Sequence, residues 1–309
     1  MTQVERSVPG DSRRAGSLRS QVVHFKETNS RSTLRRVLRD PRVIITATLI
    51  MFLLLLGMFA PLISPYDPEY MDYALSLAGP TPGHPMGTDQ LGRDVLSRMF
   101  FGARISLQVS FYSVVIASIV GVCVGVISSY FGSWIEMLLM RFIEVLLAFP
   151  ALVLAIVVAA YMGPSLQNVA VVIGIVYMPI FARLTYAVTL SVKQMEFVQA
   201  ARAVGASHIR IITRHILPNS MAPIIVQISL CLGFAILTES GLSFLGVGVP
   251  PPAPSWGTEV ALSRLTLDKA PHLVIWPSLF VGIAILSFNV LGDALRDVLD
   301  PRMRGLISK

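Results

Sequence analysis

Apolar positions in this chain gather in long runs rather than alternating with polar ones. Residues 43–64 contain no charged side chain, and five further segments, near 105–130, 135–161, 167–190, 219–246 and 273–292, are apolar over comparable lengths. An α-helix crosses a hydrocarbon core of ~30 Å with about 20 residues. Unpaired backbone polar groups are too costly in lipid for irregular chain to do the same. The pattern therefore predicts an all-α integral membrane protein with six spans, the first over 43–63. Glu136, Arg141 and Glu144 crowd the start of the third segment, so its edge is the least sharply marked.

The polar intervals between these runs differ in basic content. Residues 1–42 hold ten Lys and Arg, 191–218 hold four and the tail after 293 holds four, whereas 65–103 and 247–272 hold two each. Cytoplasmic segments retain basic residues, which places both termini and the 191–218 segment in the cytoplasm and the 64–104 loop outside. An even number of spans requires the same arrangement of the termini. Just before the first span, Leu34, Val37 and Leu38 oppose Arg35, Arg36 and Arg39. That pattern predicts an interfacial basic helix over 31–42, lying against membrane lipid. Residues 1–30, rich in Ser, Arg and Gly, read as disordered, and the first apolar run reads as an anchor with no cleavable signal before it.

Composition agrees with this division. Hydrophobic residues make up 54% of the chain and charged ones only 14%, an apolar surplus that belongs in lipid. The net charge of +7 sits mainly in membrane-flanking segments, which argues for lipid and against nucleic acid. Cys123 and Cys231 fall inside predicted spans and read as buried small hydrophobes rather than a disulfide. Gly121 and Gly125 form a small-xxx-small surface suited to close helix packing.

One polar island lies between two spans, residues 199–219, QAARAVGASHIRIITRHILPN. Residues 193–204 favour helix, with Ala200, Ala201 and Ala203 leaving a smooth side between Gln199 and Arg202. Gly205 can take the left-handed backbone that ends a helix. Residues 207–215 then place Ile209, Ile212 and Ile216 on one stripe and Arg210 and Arg214 on another, as in a short helix lying flat on a bilayer. Pro218 suits the first turn of the next span.

With Ala200-Ala201, Gly205 and Leu217-Pro218 at these spacings, the island resembles the EAA loop of binding-protein-dependent ABC importer permeases. Gln199 stands where that loop carries Glu, and His215 where a branched apolar residue is common. Three other stretches resemble the dipeptide, oligopeptide and nickel branch of the same family. They are MGTDQLGRDVLSRMFFGAR at 86–104, ESGLSFLGVG at 239–248 followed by Pro250, Pro251, Pro252, Pro254 and Trp256, and NVLGDALRDVLDPRMR at 289–304. In the first, Gly87 and Gly92 permit tight bends, and Asp89, Arg93 and Asp94 can pair and cap a helix beginning near Asp94. Prolines forbid regular helix in the second, where Trp256 suits a membrane interface or a docked partner. In the third, Asp293, Arg296 and Asp297 can form a polar edge as the last helix leaves the membrane.

The resemblance implies the C-type subunit of a type I importer, with the six-helix, MetI-like bundle of that class and a core domain over 105–293. It implies that Gln199, Ala200, Ala201, Arg202, Gly205, His215, Leu217 and Pro218 contact an ATPase. It further implies a B-type second permease subunit, two ABC ATPases that bind ATP and Mg, an extracytoplasmic substrate-binding protein and, as cargo, peptides ahead of nickel complexes or glutathione. The location implied is the inner, or plasma, membrane.

The residues themselves show no enzyme chemistry. There is no GxxxxGK[ST] loop for phosphate, and histidines 24, 84, 208, 215 and 272 do not cluster with Cys or carboxylates as metal ligands. No catalytic group, cofactor or metal is expected in the chain itself. Polar residues inside spans are candidates for a water-filled path: Glu144, Gln227, Ser229, Thr238 and Glu239. An ion-coupled secondary transporter or channel would share the six-span pattern without explaining the island. A membrane-embedded enzyme would need a polar cluster that these isolated residues do not supply.

Overall fold

A computed structural model describes residues 40–299. The stretch 1–30, all but the end of the 31–42 basic helix, and the last ten residues of the tail lie outside the described residues. Helix α1 (Pro41–Met58) opens on Asp40, whose carboxylate accepts the Arg42 N–H at 2.9 Å. The Arg42 guanidinium beside it holds that carboxyl below its ordinary range. After a bend at Phe59 the short α2 (Ala60–Ile63) leads into a long loop.

Helix α3 (Val95–Phe131) starts earlier than the apolar run alone suggests, because Asp94 caps it by accepting the Ser97 N–H at 2.7 Å. Gly132, at φ +67°, turns the chain into α4 (Ser133–Ala148). The third apolar segment is not one straight span. Pro150 offers no N–H and forces Phe149 out of helical conformation, so α4 and α5 (Ala151–Met162) meet at a 97° bend. Helix α6 (Leu166–Val192) begins at Ser165, which accepts the Asn168 N–H at 3.1 Å.

The island forms α7 (Glu196–Ala203) and α8 (His208–Ile211). A single π turn, Ile212–Ile216, joins α8 to α9 (Leu217–Phe244). Pro218 cannot serve a carbonyl one turn back, and the chain meets it with this wider turn rather than a break. The expected flat helix over 207–215 is therefore corrected: that segment is the first part of a 37-residue rod, His208–Phe244. A loop, α10 (Trp256–Ser263) and α11 (His272–Leu299) complete the described chain. Among the described residues five helical units are long and apolar enough to cross a membrane, six if the bent pair counts as one span.

Helix α3 sits between two cores. On one side Val109, Val114 and Ala117 pack with Ile173 and Phe181 of α6 and Ala235 of α9. On the other, Met99 and Ala103 pack with Leu53 of α1, Trp256 of α10 and Phe288 of α11. The α3–α6 seam closes to backbone contact, as the glycine spacing predicts. A Cβ at Gly121 would stand 2.6 Å from the Met178 carbonyl oxygen, and one at Gly125 2.5 Å from that of Ala182. Cys231 is buried and unpaired, but Cys123 points outward from α3, a correction to its expected burial. Helices α1, α4 and α5 keep many large apolar side chains exposed, among them Phe52, Met137 and Tyr161.

Candidate functional site

The island folds as an elbow. Helix α7 ends in a two-bond glycine cap: Gly205, at φ +78°, donates its N–H to the Arg202 carbonyl and Ala206 donates to that of Ala201, each at 3.0 Å. Ser207 then caps α8. The underside is a small core of Val198, Ile211 and Ile216 against Val192 of α6 and Tyr130 of α3. Ile211, not Ile209, takes the inner place. The π turn brings Ile211 and Ile216, five positions apart, onto the inner face, and Ile209 is 76% exposed.

The outer surface of the elbow carries most of the predicted contact residues. Gln199, Ala200, Arg202, Gly205 and Pro218 are exposed, while Ala201, His215 and Leu217 are half-buried. Gln199 donates its side-chain amide to the Gln194 carbonyl at 3.0 Å, and the His215 ring lies 6.1 Å from that of Phe197. Val204, 85% exposed, and Ile209 stand on either side of the Gly205 turn. The tip therefore presents apolar side chains and backbone that nothing among the described residues covers.

The far end of α3 is built differently. Gly87 and Gly92, both at positive φ, shape a loop whose Asp89 accepts from Arg93 Nε at 2.6 Å and from the Arg93 and Leu91 N–H groups. Asp94 also accepts from the Ser97 hydroxyl at 2.6 Å and lies 2.9 Å from His84 Nδ1. Arg98, 1% exposed, reaches Glu259 of α10 at 2.6 Å and the Pro68 carbonyl at 2.7 Å. We call this unit the cap. Trp256 is buried within it, its Nε1–H donating to the Met99 carbonyl at 3.1 Å and its ring over Gly102. The expected place at a membrane interface or against a docked partner is thus corrected: α3 and α11 enclose the indole.

The five candidate path residues do not form one site. Glu144 is exposed on α4 and pairs with Arg141 at 3.0 Å, one helical turn away. Glu239 is wholly buried and accepts from Ser106 at 3.2 Å, Ser243 at 2.9 Å and Ser255 at 2.7 Å. Within this chain it faces α3 and α10 and no open surface. Ser229 bonds back to the Ile225 carbonyl, and Thr238 meets the Tyr177 hydroxyl at 2.8 Å. Gln227 lines a cleft of about 490 Å³ with Asn219, Pro223, Leu230, Leu184 and Arg296.

Residues 117–305 match the family described as binding-protein-dependent transport system inner membrane component, and residues 28–80 match the N-terminal transmembrane domain of oligopeptide transport permease C. The chain belongs to the first of these families. This permease is 42% identical over 274 residues to the dipeptide transport system permease protein DppC of Alkalihalophilus pseudofirmus, covering 89% of this chain and 90% of that one. It is 41% identical over 271 residues to the glutathione transport system permease protein GsiD of Pectobacterium atrosepticum, with 87% and 90% covered. Its fold is similar to that of the MetNI methionine ABC transporter in an inward-facing conformation, with a TM-score of 0.56 at 16% identity over 66% of this chain and 96% of that one. The permease is a multi-pass membrane subunit of an ABC importer and not itself the ATPase. Membership implies ATPase subunits and a second permease subunit beside it.

Three features of the permease escaped the sequence. The Arg98–Glu259 pair joins residues 161 positions apart, and no local spacing announces it. The apolar tip residues Val204 and Ile209 were legible in principle, as branched side chains flanking a glycine turn in an otherwise polar island. Tyr130 had no signal beyond its place at the end of an apolar run.

Proposed function

We propose that this permease is the C-type half of a peptide importer, and that its elbow, residues 194–215, is the surface on which an ATPase subunit docks. The observation that carries this reading is the elbow itself, packed underneath and bare at its Val204–Gly205 tip. The elbow end faces the cytoplasm together with both termini, in keeping with the distribution of Lys and Arg. Two ATPase subunits hold ATP and Mg, a B-type permease supplies the other half of the path, and a substrate-binding protein delivers cargo to the cap.

Peptides are the cargo that the dipeptide and glutathione relatives favour. Differential affinity of ATP for the closed ATPase pair supplies the energy, and the elbow transfers that closure to α6 and α9, between which it is strung. The chain performs no bond chemistry.

The test is uptake of radiolabelled alanyl-alanine by the purified complex in proteoliposomes containing ATP, with its binding protein outside. ATP-dependent uptake that is lost in Ala201→Arg, with insertion intact, is the expected result. Wild-type uptake by the variant complex would count against elbow docking, and uptake driven by an ion gradient without ATP would favour a secondary transporter.

A further inference from the structure

Three helices lie over the elbow, but they are joined to it in different ways. Helix α6 reaches α7 through residues 193–195, and α8 runs unbroken into α9. Helix α3 is not joined to the island along the chain and meets it only by non-covalent contacts.

Those contacts centre on Tyr130, with the Phe131 ring beside it, 5.9 Å from that of His208. Tyr130, the penultimate residue of α3, is 6% exposed. Its hydroxyl and His208 Nδ1, on α8, are hydrogen-bonded at 2.8 Å. The Arg202 guanidinium, on α7, lies over its ring at 5.2 Å from the centroid. The two arms of the elbow, on opposite sides of Gly205, thus grip a single side chain. One residue earlier, Lys193 donates to the Ser129 carbonyl.

Helix α3 is well suited to carry a displacement delivered there. Its 37 residues extend ~55 Å. Its other end is locked into the cap through Asp94 and Arg98, and its middle meshes with α6 at Gly121 and Gly125.

We propose that Tyr130 is a positioning residue of the transport cycle: its bond to His208 makes α3 follow the elbow when the ATPases close. This rests on the elbow being the ATPase-docking surface. Without the bond, elbow motion reaches α6 and α9 through the backbone while α3 and the cap lag, so ATP is spent with less cargo moved.

The experiment uses the whole purified complex in proteoliposomes and measures alanyl-alanine transported per ATP hydrolysed. Tyr130→Phe keeps the ring, and so the Arg202 contact, but removes the hydroxyl. The expected result is an assembled complex whose ratio falls about fivefold, the order expected for one lost hydrogen bond, with ATP turnover largely kept. His208→Ala should match it, and the double variant should be no worse than either single one. His208→Asn, whose amide can still meet the hydroxyl, should recover most of the loss, which a merely structural role would not predict.

A wild-type ratio in assembled Tyr130→Phe, beside an active wild type, would overturn the role of Tyr130 alone. An intact wild-type complex with ATP turnover but no uptake of this dipeptide would instead overturn the proposed dipeptide cargo.

Discussion

The two ends of α3 handle polar groups in opposite ways. At the cap, charges lie inside: Arg98, Asp89, Asp94 and Glu259 are all buried, and each is met by a partner from this same chain. At the elbow, charges lie outside, the core beneath is small, and two strongly exposed side chains at the tip, Val204 and Ile209, are apolar. Buried polar groups satisfied internally hold a shape, because losing one partner strands another. A surface that leaves apolar side chains in water marks a place where another molecule belongs. Among the described residues the cap is thus complete, and the elbow is not.

The largest break in this contrast should come from Arg98→Met. It strands Glu259 and the Pro68 carbonyl in the cap, at a cost of about 3–5 kcal/mol, visible as a lower unfolding temperature of the detergent-purified complex. Adding Glu259→Leu should restore most of the loss, because no unpaired charge then remains. Gly125→Leu comes next. It must force α3 from the Ala182 carbonyl, at a cost of roughly 1–3 kcal/mol, with folded yield and unfolding temperature as the readout.

Glu239→Ala leaves the Ser106, Ser243 and Ser255 hydroxyls short of an acceptor and should cost about 1–3 kcal/mol. A transport defect no larger than this loss of folded protein would agree with its structural place. Arg42→Ala should have the smallest effect. Its links to Asp40 and to Asp297 of α11 are half exposed, so the unfolding temperature should stay within experimental error.

Much of this contrast was legible from residue patterns, and the rest fails for identifiable reasons. Run length located the spans, and local chemistry located the α3 start at Asp94 and the elbow turn at Gly205, because a cap and a left-handed glycine act over a few residues. The bend in the third span was not foreseen, because hydropathy registers how apolar a run is and not the N–H that Pro150 lacks. The π turn sets Ile211 and Ile216, five positions apart, on the same inner face, a spacing that an α-helical stripe does not reveal. The burial of Glu239 and Trp256 depends on partners more than a hundred positions away, Ser106 and Met99, which only the folded chain brings close.

The central claim is that the elbow is covered by an ATPase while the cap is not. It is tested most directly by labelling Ala200→Cys and Tyr73→Cys, both exposed positions, in a background with Cys123→Ser and Cys231→Ala. A membrane-impermeant maleimide is applied to inside-out and right-side-out vesicles, with the ATPase subunits present or absent. Cys at 200 should react only from the inside and at least about tenfold more slowly when the ATPases are present. Cys at 73 should react only from the outside and at one rate in both. Equal labelling at 200 with and without the ATPases would contradict the claim.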